Sequence, residues 1–137
     1  MLYHHTSIRT ADIFRAITFY EALGFTVITR FNAGITLGCW LQGAGTHLEL
    51  IQVPEPGNCP DPFHDEHYVG YYHLSFHVAD LEAVLQNLVT QLGRVKLILP
   101  PQEQQIGTKN YRVAFIVDPD GLPIELMQLL DGSAVAF

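Results

Sequence analysis

Two histidine–glutamate pairs stand at repeated places in this chain, His5 with Glu49 and His73 with Glu125. Tyr3-His4-His5-Thr6-Ser7-Ile8-Arg9-Thr10-Ala11-Asp12 aligns with Tyr71-Tyr72-His73-Leu74-Ser75-Phe76-His77-Val78-Ala79-Asp80, matching Tyr, His, Ser, Ala and Asp at one constant offset. His47-Leu48-Glu49-Leu50-Ile51-Gln52 aligns with Pro123-Ile124-Glu125-Leu126-Met127-Gln128 at a slightly larger offset, as a few extra loop residues would produce. A lone His or Glu on the wet face of a sheet needs no explanation. A duplicated pair does, because random surface polarity does not repeat. Two imidazoles and two carboxylates brought together would suit a divalent ion such as nickel, zinc, cobalt, manganese or iron.

The elements that would position these groups repeat as well. Residues 2–10 and 71–79 alternate and are rich in β-branched or aromatic side chains, which predicts strands. Asp12 and Asp80 then stand at helix N-caps. Ile13, Ala16, Ile17, Tyr20 and Leu23 share one helical face, as do Leu81, Val84, Leu85, Leu88 and Leu92, with Gly24 and Gly93 as stops. Strands are predicted at 25–31, 35–41 and 46–53, then at 94–99, 111–117 and 123–130, with Pro100 to Asn110 as a dividing loop. The fold class is therefore α+β, built from two tandem βαβββ modules. One domain, 1–137, would comprise a first module at 1–53, a Pro-rich linker at 54–69, a second module at 70–130 and a tail at 131–137 whose apolar end could dock. Strand alternation puts His5, Ser7 and Arg9 on one face and His73, Ser75 and His77 on its counterpart. Glu49 and Glu125 point away from the helices, and His4 is expected to pack toward them.

With 137 residues, 48% hydrophobic and only 15% charged, the chain can bury a core without disulfides, which excludes a disordered protein. Its net charge of −7 and scattered basic residues argue against nucleic acid as a partner. No apolar run is long enough to span a membrane, and the N-terminus lacks the pattern of a signal peptide. Two cysteines, Cys39 and Cys59, are too few for a disulfide scaffold, so a cytoplasmic location is expected.

The run His5-Thr6-Ser7-Ile8-Arg9-Thr10-Ala11-Asp12, then Ala16-Ile17-Thr18-Phe19-Tyr20 and Leu23-Gly24-Phe25, resembles the start of glyoxalase I-type proteins of the vicinal oxygen chelate superfamily. Ala114-Phe115-Ile116-Val117-Asp118-Pro119-Asp120-Gly121, followed by Ile124-Glu125-Leu126, is similar to that family's final strands. The resemblance covers nearly the whole chain and implies paired modules whose strands curl around one divalent metal. Carried over by position, it makes His5, Glu49, His73 and Glu125 the metal ligands, Glu125 the principal base and Glu49 a ligand that can also move a proton. It implies a lyase or isomerase acting on the hemithioacetal of methylglyoxal and a thiol, through an enediolate, in a homodimer. Arg9 matches a residue that contacts glutathione, while Lys109 and Arg112 lie near a basic loop of the family. One departure is Ile51-Gln52-Val53, where glyoxalase I enzymes carry a Thr-Tyr-Asn-type run. The alternatives within the superfamily are an acyl-CoA epimerase, a ring-cleaving dioxygenase and a non-catalytic sequestering protein.

Other chemistry-bearing residues rank lower. His64 and His67 sit among Asp61, Asp65 and Glu66 in the linker, where solvated charge is the default. His47 shares a strand face with Glu49 and is a candidate supporting residue. Gly43-Ala44-Gly45 fits a hairpin turn and no phosphate-binding loop.

Overall fold

A computed structural model describes residues 1–130; the tail expected at 131–137 lies outside them. The chain divides into two compact units, Met1–Asn58 and Cys59 onward. The first contains β1 (Thr6–Thr10), α1 (Ile13–Ala22), β2 (Thr26–Ala33), β3 (Thr36–Gly43) and β4 (Thr46–Gln52). The second contains β5 (Leu74–His77), α2 (Leu81–Leu92), β6 (Leu97–Ile106), β7 (Lys109–Val117) and β8 (Pro123–Leu129). Each unit is thus βαβββ, and the fold is α+β.

Each sheet has four strands and stays open, in the orders β1-β4-β3-β2 and β5-β8-β7-β6. The first strand runs parallel to the last, and the remaining pairs are antiparallel. Parallel neighbours require a long crossover, which the helix supplies. Each helix covers the sheet face that carries the apolar residues. In the first unit Ile13, Ala16, Ile17 and Tyr20 of α1 are buried, together with Cys39, Leu41, Leu48 and Leu50. In the second, Leu81 and Leu88 of α2 are buried with Ala114, Ile116, Ile124 and Leu126.

Helix starts are held twice over. Asp12 accepts from the backbone N–H of Phe14 and Arg15, and Asp80 accepts from that of Ala83. The last strand then reaches back. Gln52 Oε1 accepts from the Ile13 N–H at 3.0 Å, and Gln128 Oε1 accepts from the Leu81 N–H at 2.8 Å. The strand that carries each glutamate is thereby pinned to its own helix.

Two expectations are corrected. The first strands are shorter than 2–10 and 71–79, because pairing with β4 begins at Thr6 and pairing with β8 at Leu74. His5 and His73 therefore stand immediately before their strands. Pro100 to Asn110 is no dividing loop, since β6 runs on to Ile106 and turns tightly into β7 at Lys109. Prolines fit there because β6 is the outer strand and its register slips between Leu99 and Gln102, leaving Pro100 and Pro101 unpaired. The hairpin at Gly43-Ala44-Gly45 is present, with Ala44 and Gly45 at φ +50° and +72° as a two-residue mirror-image turn demands. Among the described residues no helix is long and apolar enough to cross a membrane, and both cysteines are free thiols.

Candidate functional site

Strand register sets a serine opposite each glutamate. Ser7 lies opposite Glu49 in the β1–β4 pair, and Ser75 lies opposite Glu125 in the β5–β8 pair. Facing residues in adjacent strands share a side of the sheet, so each Ser meets its Glu on the face turned from the helix. The Ser7 hydroxyl donates to Glu49 Oε1 at 2.7 Å, and the Ser75 hydroxyl donates to Glu125 Oε1 at 2.7 Å. His5 Nε2 stands 3.5 Å from Glu49 Oε1, and His73 Nε2 stands 3.6 Å from Glu125 Oε1. These gaps are long for a hydrogen bond. They are close to the separation of two donors on one ion, roughly 3.0–3.4 Å for bonds of about 2.1 Å at octahedral or tetrahedral angles. Each histidine thus stands at ion-pair distance from its glutamate.

Around this common frame the units differ. In the first, Trp40 of β3 pairs in register with Glu49, and its indole N–H donates to Glu49 Oε2 at 2.8 Å. Burial works against the charge of Glu49. The Trp40 and Ser7 donors and the nearby His5 outweigh it, holding the carboxyl below its ordinary range. His4 Nδ1 lies 2.6 Å from His5 Nδ1, so one ring donates and the other accepts, which turns His5 Nε2 toward Glu49. His4 also meets Trp40 edge-on and stacks on His47 at 6.1 Å. The expectation that His4 packs toward the helix is therefore wrong. Residues ahead of β1 lie outside the ladder and need not alternate.

In the second unit Phe115 takes the register position opposite Glu125. Tyr72 and Phe115 both meet His73 edge-on, at 4.4 and 4.9 Å, and Phe63 packs on Phe115 at 5.0 Å. His73 Nδ1 is buried and has no hydrogen-bond partner among the described residues.

The structure thus pairs His5 with Glu49 and His73 with Glu125. Among the described residues no group of three or more His, Cys, Asp or Glu could hold a metal. Arg9 is exposed on β1, two residues beyond Ser7. Arg112 is engaged by Glu82 of α2, and Lys109 is exposed at the start of β7. In the linker His64 bonds the exposed Asp61 at 2.8 Å, and His67 stands 3.6 Å from Glu66, both as surface pairs. Sequence reasoning placed Ser7 and Ser75 on the right face but gave them no role, and it overlooked Trp40. Aligning Gly38-Cys39-Trp40-Leu41 with Val113-Ala114-Phe115-Ile116 would have revealed the Trp–Phe exchange.

The profile of the Glyoxalase/Bleomycin resistance protein/Dioxygenase superfamily matches residues 2–126. The chain belongs to this superfamily. The uncharacterized protein YaeR of Escherichia coli is 29% identical over 130 residues, covering 91% of this chain and 94% of that one. The glyoxalase family protein from Enterococcus faecalis superposes with a TM-score of 0.74 at 26% identity, covering 92% of this chain and 96% of that one. A glyoxalase I mutant from Zea mays shares the fold, with a TM-score of 0.70 at 21% identity over 90% of this chain and 43% of that one. The superfamily is one of small-molecule proteins that commonly bind a divalent metal and often form dimers. The paired His–Glu sets are donors suited to such an ion.

Proposed function

We propose that this protein is a metal-dependent lyase of the glyoxalase I kind, isomerising the hemithioacetal of a 2-oxoaldehyde such as methylglyoxal and a thiol. The observation that carries the reading is the duplicated Ser–Glu–His set, with the same hydroxyl-to-carboxylate bond and nearly the same His–Glu gap in both units. Two donors per unit are too few for a stable site, so His5 and Glu49 are proposed to act with His73 and Glu125. A homodimer in the cytoplasm would supply these sets. When bound, the divalent ion would supply Lewis-acid stabilisation of negative charge on the substrate oxygens. Isomerisation moves a proton from one carbon to its neighbour, which needs a base within hydrogen-bond reach. Glu125 is the proposed base, taking the proton at a carboxylate oxygen while Ser75 holds the other. Glu49 is proposed to hold the metal and to work on the opposite side of the substrate. Arg9, exposed beyond Ser7, is the proposed contact for a carboxylate of the thiol.

One observation favours a second reading. Gln52 stands in the run where a glutathione-holding Asn is expected, yet its side chain is engaged with the Ile13 N–H and its carbonyl with Thr36. A thiol other than glutathione, or another superfamily reaction such as acyl-CoA epimerisation or ring cleavage, accommodates that. The test is isomerisation of the methylglyoxal–glutathione hemithioacetal with nickel, cobalt, manganese or zinc. No turnover with any of them rejects the lyase, and oxygen uptake with a catechol would then identify a dioxygenase.

A further inference from the structure

We propose that Trp40 is a positioning residue that fixes Glu49 as the standing carboxylate of the site and leaves Glu125 as the one able to swing. This rests on the metal-binding reading above and concerns how the two carboxylates, equivalent by repeat, come to differ.

Glu49 is held at both oxygens, Oε1 by Ser7 at 2.7 Å and Oε2 by the Trp40 indole at 2.8 Å. Rotating the carboxylate would break two donors' bonds at once. An indole N–H is a donor only and cannot follow a departing carboxylate by switching roles. Trp40 is itself fixed in place. Phe31 meets it edge-on at 5.6 Å and His4 does so at 5.1 Å. Phe31 reaches that position across Gly38, where a Cβ would lie 2.4 Å from Phe31 Cε2. The glycine, the phenyl ring, the indole and the carboxylate therefore form one packed series.

The second unit keeps the carboxylate but lacks the indole and the glycine. Phe115 replaces Trp40 opposite Glu125, and Val113 stands where Gly38 does. Ser75 holds Glu125 at Oε1, and among the described residues no side chain donates to Oε2. If Trp40 were there for packing alone, a phenyl ring would serve equally, as it does opposite Glu125. The hydrogen bond to Oε2 is what the indole adds.

Trp40 is the single tryptophan of the chain, so its indole N–H gives one resolved NMR resonance in the whole protein. In wild type that resonance is expected to be protected from exchange and to shift on addition of zinc alone. Glu49→Gln should move it in the zinc-free protein, and Glu125→Gln should leave it in place. Trp40→Phe is expected to weaken zinc binding about tenfold, as losing a partner of a metal ligand does, with an unchanged circular dichroism spectrum. Equal zinc affinity in wild type and Trp40→Phe, or an indole resonance blind to Glu49→Gln, overturns the proposal while sparing the metal reading. Wild type without measurable zinc affinity overturns both. Should Trp40→Phe fail to fold, the indole resonance in wild type, Glu49→Gln and Glu125→Gln decides alone.

Discussion

The two His–Glu clusters share an inner frame and part company one layer out. Both place a serine hydroxyl on glutamate Oε1 and a histidine just beyond hydrogen-bond range. Behind that frame the first unit has polar groups, His4 on His5 and Trp40 on Glu49. The second has rings, with Tyr72, Phe115 and Phe63 around a His73 whose Nδ1 is buried and unpartnered among the described residues. The contrast separates what register dictates from what neighbours adjust. Strand pairing alone sets Ser opposite Glu, and any copy of the module inherits it. Whether the carboxylate is then gripped or left loose depends on one residue of the adjacent strand.

The sharpest way to break the comparison is to remove each carboxylate in turn. Glu125→Gln is expected to cut hemithioacetal isomerisation on the order of 10²–10⁴-fold while keeping more bound zinc than Glu49→Gln, read by elemental analysis beside the rate. Equal zinc loss in the two variants would erase the proposed division of labour. Beneath the site the units should behave alike. Leu50→Ala and Leu126→Ala, at fully buried counterpart positions, are each expected to cost about 2–5 kcal/mol in denaturant unfolding. A large disparity would mean that only one core carries the stability.

Smaller effects sharpen the outer layer. His4→Phe should weaken zinc binding about tenfold, because His5 loses the group that orients it. Tyr72→Phe, at the counterpart position, should leave titrations with zinc unchanged. The least effect is expected at the helix caps. Asp12→Ala and Asp80→Ala should each cost about 1 kcal/mol by thermal unfolding, with Asp12 the costlier since it serves two backbone donors and Asp80 one.

The inner frame was legible in the sequence because it follows from a period of two. Once Ser7 and Glu49 fall on strands, their faces are settled, and the repeat supplies the second copy. The side of His4 is not legible because alternation stops at Thr6, ahead of which the pairing with β4 does not reach. Two consecutive prolines predict the end of a strand, which holds for an inner strand and fails on an outer one with a bulge. Trp40 escaped notice because its counterpart lies at a different offset from that of the histidines, after a longer β6–β7 hairpin. Its role also depends on a contact between side chains, which no pattern of hydropathy records.

Those two prolines bear on how the protein behaves at high concentration. An outer strand normally offers a row of N–H and carbonyl groups that a strand of another molecule can extend. Successive residues direct their N–H to opposite edges, so one of Pro100 and Pro101 removes a donor from that row, where the register of β6 also slips. A foreign strand laid along β6 would find its ladder interrupted near the middle, so this margin of the second sheet resists stacking into aggregates. Replacing both prolines with valine would restore an unbroken β-branched edge, and light scattering on heating would register the cost as earlier precipitation.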